Sequence, residues 1–325
     1  MLVCARDEED NIDACVRSLS QLDYPKEKLQ LLFVDDKSTD RTPEILADWQ
    51  SRLPNLTVYR TGPEIEHLKG KVNALTQGMD VATGEYVLIT DADSHVNPNW
   101  AREYISHYEP DTGMVASITL LDEDSFFDTM QSLDWAYLLG MAAAGANLKA
   151  PISVIGNNMT VRRAAYESVG GYREIPFSIT EDQALMKAIW YKRPWKVKFK
   201  VHPYLTVMSK ATPTFKAWWR QKHRWVKGGE DLKAYGYLIF GIGLLGNLSM
   251  FLAPFILPAF AAIMVVLIKW VADLLIIVPV LTKLRKSHLL KYFPVYELYL
   301  ALFVFSMPIM IMQKNVVWKG RVYKH

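Results

Sequence analysis

Cysteine is nearly absent from this chain of 325 residues, which contains only Cys4 and Cys15. Two cysteines form at most one disulfide, and neither belongs to a CxxC pair, so a disulfide framework and a cysteine-rich metal site are both excluded. Because Cys15 also falls on the apolar stripe of a predicted helix, we expect a reducing compartment. The glycine-rich motifs GxGxxG and GxxxxGK followed by Ser or Thr are missing too, which supports neither a dinucleotide-binding fold nor a P-loop.

A secretory signal peptide is not predicted, because Met1–Val3 runs directly into the charged stretch Arg6–Glu9. A strand is predicted at Leu2–Ala5, almost at the first residue. This unusually short first strand leads to the hypothesis that the natural protein begins upstream, with a further membrane helix there.

Charge is unevenly distributed along the chain. Residues 236–325 contain nine Lys and Arg but only two Asp and Glu. Residues 1–235 contain 28 Lys and Arg and 32 Asp and Glu. An acidic body followed by an apolar, basic segment argues against nucleic acid as the main partner. It predicts a membrane segment with basic flanks instead.

The last third of the chain is dominated by three apolar segments, at about 238–256, 258–281 and 294–312. A basic loop at Lys283–Lys291 separates the last two, and the tail is basic again. The positive-inside rule places both basic segments on the cytosolic side, which three complete spans do not permit. One apolar segment is therefore expected to be re-entrant or interfacial.

A further helix is predicted at about 214–227, just before these segments. Its aromatic side chains fall on one arc, which also includes Lys222, and such a helix suits a membrane interface. The alternative is an ordinary amphipathic helix packed on the domain. We therefore divide the chain into a cytosolic domain, 1–230, and a membrane domain, 231–325.

Strands and helices alternate over the first hundred residues, which predicts an α/β fold with a mostly parallel sheet and helices on both faces. Two predicted strands end in carboxylates, one at Asp35-Asp36 and the other at Asp91 and Asp93. Parallel sheets bind ligands at the carboxyl ends of their strands, so these acidic residues indicate a ligand site.

Three positively charged side chains alternate with apolar ones along Trp195–Val201. This pattern predicts an edge strand protected by its lysines. Attraction to anionic lipid is the alternative explanation.

The pair Asp91 and Asp93 fits a hard divalent cation that shares its coordination with waters and substrate phosphates, although a solvated turn also contains such pairs. Lys71 follows Gly70 at the start of a predicted helix, where an ammonium and the helix N-terminus both favour a diphosphate. A surface lysine is the simpler explanation of that residue taken alone.

Thr180-Glu181-Asp182 precedes another predicted helix. One interpretation is helix-end electrostatics, with Thr180 as the cap and two acidic residues in the first turn. The other is that this segment supplies a general base. These residues taken alone favour the first interpretation.

Six motifs follow one another along the chain: VDDKSTDRT (34–42), KGKVNAL (69–75), DAD (91–93), GNNMTVRR (156–163) with GGY (170–172), TED (180–182) and QKHRW (221–225). Together they resemble the membrane-bound family 2 glycosyltransferases, which include polysaccharide synthases and the ceramide glucosyltransferase group. The resemblance covers almost the whole chain, and the closing Trp318–Tyr323 is similar to the WRGRxY ending of some lipid glycosyltransferases.

The resemblance implies a GT-A fold and assigns roles residue by residue. Asp182 is the implied catalytic base, and Asp93, with Asp91, the implied ligand of Mg²⁺ or Mn²⁺. Asp7 stands where relatives usually have Asn, and it is given no role. The implied nucleotide-sugar site comprises Arg6, Glu8, Asp35, Asp36, Lys71, Asp91 and Asp93. The implied diphosphate and acceptor site comprises Asn157, Asn158, Glu181, Gln221, Arg224 and Trp225.

We therefore expect an inverting, metal-dependent transfer of a sugar from a nucleotide-diphosphate donor, UDP-linked in most relatives, to a membrane acceptor. A lipid acceptor is favoured, and a processive polysaccharide synthase is the alternative. A membrane nucleotidyltransferase and a non-catalytic scaffold are more distant alternatives. The catalytic domain is expected to face the cytosol from a multi-pass membrane protein, in the plasma or inner membrane if the organism is bacterial.

Overall fold

The computed structural model describes residues 1–65, 67–192, 194–229, 234–313, 315–318 and 321–324. The chain divides into two compact units. Met1–Leu121 and Ala142–Lys210 form the first unit, and Asp122–Met141 and Ala211–His325 form the second. The predicted domain boundary at 230–231 lies outside the described residues, as do Lys319 and Gly320 of the closing motif.

Strands and helices follow one another along the whole chain. The first twelve elements are β1 (Leu2–Ala5), α1 (Ile12–Ser20), β2 (Leu31–Asp35), α2 (Thr42–Arg52), β3 (Leu56–Arg60), α3 (Lys71–Val81), β4 (Tyr86–Asp91), β5 (Ser94–His95), α4 (Trp100–Ser106), β6 (Thr112–Ser117), β7 (Thr119–Leu121) and α5 (Phe126–Asn147). They are followed by β8 (Met159–Arg162), α6 (Arg163–Ser168), α7 (Gly171–Glu174), α8 (Glu181–Tyr191), β9 (Lys196–Lys200), β10 (Val207–Ser209), α9 (Phe215–Gly228), α10 (Ala234–Ile256), α11 (Ala259–Lys283), α12 (Phe293–Met312), β11 (Asn315–Trp318) and β12 (Arg321–Lys324).

A seven-stranded sheet forms the centre of the first unit, in the order β3-β2-β1-β4-β8-β6-β9. The pairs β3-β2, β2-β1, β1-β4 and β6-β9 are parallel, while β8 runs antiparallel to both of its neighbours. The predicted mostly parallel sheet is confirmed. The lysine-rich strand β9 lies at the edge of the sheet, as predicted, where its charges hinder pairing with another chain.

The alternation of side chains along β1 and β2 builds a hydrophobic layer on each face of the sheet. On one face, Val3 and Phe33 join a cluster with apolar residues of α1, α2 and α4. On the other face, α3 packs so closely that a Cβ at Gly78 would lie 2.5 Å from Leu2 Cδ1 and 2.9 Å from Val34 Cγ2. Helices therefore cover both faces, as the strand-helix alternation predicts.

A second, three-stranded sheet in the order β5-β10-β7 follows the end of β4. Its strands are only two or three residues long. Because β10 pairs antiparallel with β5, it brings Ser209 opposite Ser94, next to Asp93. This small sheet attaches the loop after β4 to a segment more than a hundred residues later.

The second unit contains α9, which packs against α12 and strand β11, and α10, which packs against α11 and α12. Two stretches among the described residues are long and apolar enough to cross a membrane, Ala259–Lys283 and Ser287–Met312. Gly241–Ile256 is a shorter apolar helix. These helices are consistent with membrane association.

Charged side chains inside the apolar helices are paired with one another. Lys269 of α11 bonds to Glu297 of α12, and its ammonium lies 2.7 Å from Asp273. Tyr137 of α5 donates a 2.7 Å hydrogen bond to the other oxygen of Asp273. Pairing of this kind reduces the free energy needed to hold ionisable groups in an apolar environment.

Candidate active site

Three parallel strands bring the predicted acidic residues to one edge of the sheet. Strand β1 lies between β2 and β4, with Ala5 aligned with Asp35 and Cys4 aligned with Asp91. From β1 the chain first adds β2 and β3 on one side of β1, and it then adds β4 on the opposite side of β1. Sheets of this kind bind ligands at such a reversal of strand order, outside the carboxyl ends of the strands.

The acidic pair at the end of β2 is buried and held by specific contacts. Asp35 Oδ1 accepts a 2.9 Å hydrogen bond from Ser38 N, and Arg60 Nη1 lies 3.6 Å from its other oxygen. Asp36 Oδ1 accepts a 3.2 Å bond from the hydroxyl of Thr61. These contacts stabilise two carboxylates that would otherwise lose hydration without compensation.

The loop after β1 contains Arg6, Asp7 and Glu8. Arg6 Nη1 lies 3.8 Å from Asp36 Oδ2, which joins this loop to the end of β2. Asp7 adopts a positive φ of 51°, and its Oδ1 accepts a 2.8 Å bond from Thr39 N. Asn tolerates this backbone region as well as Asp does, and its amide oxygen can accept the same bond. Asp7 therefore has a structural task that an Asn at this position could also perform.

Lys71 connects the DxD segment with the TED segment. Gly70 precedes it at φ 59°, in the left-handed region that favours glycine, and Lys71 then opens α3. The ammonium lies 2.5 Å from Asp91 Oδ1 and 3.4 Å from Glu181 Oε1. Burial by itself lowers the pKa of Lys71, but the two carboxylates outweigh burial and raise this pKa above its ordinary value. The site therefore holds a permanent positive charge between two acidic motifs.

Asp93 is oriented by hydroxyl groups from two different segments. Its Oδ1 accepts a 3.2 Å bond from Ser94 and a 3.4 Å bond from Ser209. The backbone oxygen of Asp91 lies 3.6 Å from the thiol sulfur of Cys15 in a weak hydrogen bond. Burial raises the pKa of this thiol, which keeps Cys15 neutral beneath the DxD turn.

The donor atoms at the DxD segment fit a hard divalent cation, because Asp91 and Asp93 offer carboxylate oxygens only. Within the described ranges, no group of three or more His, Cys, Asp and Glu residues is arranged to hold a metal by itself. Two carboxylates suit a cation such as Mg²⁺, which keeps several waters and shares itself with substrate phosphates. The residues present therefore fit the metal that the resemblance implies.

Asp182 is the second residue of α8, directly after Glu181. Its Oδ1 accepts a 2.8 Å bond from Gln183 N, so Asp182 binds a backbone donor in the first turn. Thr180 occupies the N-cap position of α8, as predicted, but its side chain makes no capping hydrogen bond there. A Cβ at Gly156 would lie 3.2 Å from Asp182 Oδ2, which shows how closely the GNN segment approaches this carboxylate.

The two predicted asparagines of the GNN segment lie inside the first unit. Asn157 Oδ1 accepts a 2.8 Å bond from the hydroxyl of Thr119. Asn158 is 0% exposed, and its amide nitrogen donates to the backbone oxygens of Ile118 and Leu205. Its oxygen accepts from Trp100 and Tyr104. These four bonds use both ends of the amide of Asn158, which makes it a scaffold residue.

The QxxRW residues lie on α9 in the second unit. The predicted helix at 214–227 corresponds to Phe215–Gly228, capped by the Thr214 hydroxyl, which accepts a 3.2 Å bond from Ala217 N. Trp225 packs against Trp135 of α5 with ring centroids 5.3 Å apart. Gln221 and Arg224 belong to the same helix.

Sequence reasoning missed the residues that support the site from a distance. Ser209, which touches Asp93, carries no local motif, and only the pairing of β5 with β10 places it there. Gly156 belongs to the GNN motif, but its contact with Asp182 depends on the folded loop.

A comparison with known families decides the identity of the chain. The family model described as glycosyl transferase family 21 matches residues 7–325. The chain belongs to this family. The motif-based resemblance to family 2-like lipid and polysaccharide glycosyltransferases is thereby confirmed.

Two curated relatives of this family 21 chain are named for a glycolipid product and for a polysaccharide product. A beta-monoglucosyldiacylglycerol synthase of Synechocystis is 31% identical over 235 residues, which are 70% of this chain and 47% of that protein. A poly-beta-1,6-N-acetyl-D-glucosamine synthase of Staphylococcus epidermidis is 25% identical, over 71% of this chain and 54% of that protein. The chain therefore spans about half the length of the curated relatives it matches.

A solved structure shares the fold of the family 21 chain. It is the mannosyltransferase PcManGT from Pyrobaculum calidifontis in complex with GDP-Man and Mn²⁺. The TM-score is 0.63 at 19% sequence identity, with 95% of this chain and 85% of that chain covered. This likeness confirms the predicted GT-A fold.

Proposed function

We propose that the chain transfers a sugar from a nucleotide-diphosphate sugar to a membrane lipid, with inversion at the anomeric carbon. The observation that carries this proposal is the ammonium of Lys71, which contacts both Asp91 and Glu181. Glu181 is followed directly by Asp182. The contacts of Lys71 support a site that would combine the DxD carboxylates, a positive charge and a candidate base.

The donor side of the proposed reaction uses the ends of β1, β2 and β4. Arg6, Glu8, Asp35 and Asp36 would hold the base and ribose of the nucleotide. Lys71 would face the diphosphate, whose negative charge its ammonium balances. We propose a UDP-sugar as the donor.

The acceptor side uses Asp182 as a general base. The carboxylate removes the proton from the acceptor hydroxyl as that oxygen attacks the anomeric carbon. The new carbon–oxygen bond forms as the bond to the diphosphate oxygen breaks, and the nucleoside diphosphate leaves with the electron pair. One displacement of this kind inverts the configuration, whereas retention by double displacement requires a second carboxylate as nucleophile.

A divalent cation would be held by Asp93 with Asp91. When bound, it supplies positive charge that stabilises the diphosphate leaving group. Mg²⁺ and Mn²⁺ both suit two carboxylate oxygens. Among the solved structures, the mannosyltransferase of the same fold was determined with Mn²⁺.

The lipid acceptor is supported by the apolar helices and by a relative named for a glucosyldiacylglycerol product. Gln221, Arg224 and Trp225 would contact the acceptor and the diphosphate. Asn157 would contact the sugar, whereas Asn158 would not, because its amide is fully used within the fold. The catalytic unit would face the cytosol, where nucleotide sugars are dissolved.

A donor screen tests the proposal. The full chain is purified in detergent and incubated with UDP-glucose, UDP-GlcNAc or GDP-mannose, with diacylglycerol as acceptor, in Mg²⁺, in Mn²⁺ or in EDTA. We expect metal-dependent release of the nucleoside diphosphate from one donor and formation of a glycolipid. A parallel incubation contains a sugar phosphate and a nucleoside triphosphate instead. Release of pyrophosphate there would contradict the proposal and support a nucleotidyltransferase.

A processive polysaccharide synthase is the second candidate, because poly-N-acetylglucosamine synthases are among the matched relatives. Product length separates the two candidates. A lipid carrying one or two sugars by mass spectrometry supports the first, and a high-molecular-weight polymer on a gel supports the second.

A further inference from the structure

Lys222 occupies an unusual place for a lysine. It is one of the two variable positions inside the QKHRW segment, yet it lies on the aromatic side of α9 rather than on the solvent side. Its side chain is 1% exposed, and that of its partner Asp134 on α5 is 0% exposed. The two side chains form a buried ion pair within the second unit.

The ammonium of Lys222 also lies against two aromatic rings. Its nitrogen is 4.2 Å from the ring centroid of Trp225 on the same helix and 4.7 Å from that of Phe303 on α12. A cation over an aromatic face is attracted by the negative charge above the ring, most strongly when water is excluded. Trp225 also packs against Trp135, at 5.3 Å between ring centroids and with the two ring planes tilted by 59°.

Stability alone does not explain this arrangement. Transferring both charges from water to an apolar environment is unfavourable, and apolar residues of similar volume often replace such a pair without loss of stability. Burial accordingly lowers the pKa of Lys222 and raises that of Asp134, against the attraction between them. Unlike an apolar contact, this hydrogen-bonded ion pair holds the ammonium of Lys222 at one specific partner, the carboxylate of Asp134.

The rest of α9 is tied to the same neighbours. Trp218 Nε1 donates to the hydroxyl of Tyr299 on α12. A ring nitrogen of His223 lies 3.1 Å from Gln313 O, and Lys227 donates a 2.9 Å bond to Ile311 O. These contacts hold α9 against α12 and the residue that follows it, whereas the ion pair joins α9 to α5.

We propose that Lys222 and Asp134 are positioning residues that set the orientation of Trp225, the aromatic residue of the QxxRW segment. This inference rests on the proposed function, in which Trp225 contacts the acceptor. Lys222 acts through the ring it touches and does not itself meet the substrate.

Three variants test the proposal in the full chain. Lys222→Met leaves Asp134 as an uncompensated buried charge and is expected to lower the unfolding temperature. The double variant Lys222→Met with Asp134→Asn removes both charges, so its unfolding temperature should return close to that of the wild type. Its turnover number should nevertheless stay at least tenfold below wild type, with donor affinity unchanged. The matched control is Lys286→Met with Glu123→Gln, which removes another ion pair of the second unit, 2.8 Å long and partly exposed, and should keep full turnover.

A spectroscopic measurement separates this inference from the proposed function. In protein labelled with 5-fluorotryptophan, the ¹⁹F resonance of Trp225 is assigned from its loss in Trp225→Phe. We expect this resonance to shift or broaden in the stable double variant and to stay in place in the control. An unmoved resonance together with restored turnover would overturn the inference. A shifted resonance in the double variant, combined with a wild type that itself transfers no sugar, would leave the positioning role intact and refute the proposed function.

Discussion

At the scale of single residues, Lys71 links the two acidic motifs, DxD and TED, through its ammonium group. Its ammonium is the group that the DxD and TED segments share, with one carboxylate from each of them in contact. A positive charge at this place prevents two carboxylates from repelling each other. It is also suitably placed to attract a diphosphate.

Replacing Lys71 by methionine should weaken both folding and donor binding. Asp91 and Glu181 lose their shared counter-ion, and leaving a charged group unsatisfied costs about 1–3 kcal/mol or more. We expect a lower unfolding temperature and at least a tenfold loss of donor affinity by isothermal titration calorimetry. Lys69→Met is the matched control, since Lys69 is exposed two residues upstream. Equal donor affinity in the two variants would contradict the role of Lys71.

The pH dependence of donor binding follows from the raised pKa of Lys71. A group whose folded-state pKa lies above its unfolded value of 10.5 contributes fully below that value and is lost only at higher pH. Donor affinity should therefore not fall through deprotonation of Lys71 between about pH 7 and 9. Calorimetric titrations across this range check the prediction. A tenfold fall in the wild type that Lys71→Arg abolishes would contradict it.

At the scale of elements, the loop that precedes β8 closely approaches the first turn of α8. Gly156 lies so close to Asp182 that a methyl group there must displace the carboxylate or the loop by a few tenths of an ångström. Small displacements of a catalytic group reduce turnover more than binding, because only the transition state needs the aligned geometry.

The variant Gly156→Ala tests this contact. We expect turnover to fall about tenfold or more with little change in donor affinity, since the proposed nucleotide-binding residues lie on other elements. Gly246→Ala serves as the control, because nothing lies within 4 Å of a Cβ at Gly246. Unchanged turnover in Gly156→Ala would show that Asp182 does not depend on this loop.

Local patterns predicted the elements whose side chains alternate or repeat. The strands β2 and β4 were read from apolar runs ending in Asp, β1 from its short apolar run, and α9 from its aromatic arc. The small sheet of β5, β7 and β10 was not predicted, because strands of two or three residues carry no periodic pattern. The antiparallel strand β8 was missed because its position depends on pairing with β4 and β6.

For the candidate site, the sequence predicted only those residues that stand in recognisable motifs. Asp91, Asp93 and Asp182 stand in recognisable segments, but the use of Asn158 as a scaffold amide and the pairing of Lys222 with Asp134 are tertiary facts. Asp134 lies 88 residues from Lys222 in the chain and belongs to none of the family motifs. Contacts of such separation arise from packing, which single-sequence patterns do not encode.

At the scale of the whole molecule, the apolar helices predict firm membrane attachment. Two described stretches of 25 and 26 residues meet the length and composition of a membrane span. The full chain expressed in cells should remain in the membrane pellet after an alkaline carbonate wash, which strips proteins held only by charge. Release into the supernatant would contradict insertion, and a peripheral protein with a similar basic charge provides the control.

The proposed reaction depends above all on Asp182 as the base of an inverting transfer. The most direct test compares wild type, Asp182→Asn and the control Asp111→Asn in one assay that records transfer, product anomer and donor affinity. We expect an inverted product, a loss of about 10²–10⁴-fold in turnover for Asp182→Asn alone, and equal donor affinity in all three proteins. Full turnover in Asp182→Asn, or a product with retained configuration, would contradict this role of Asp182.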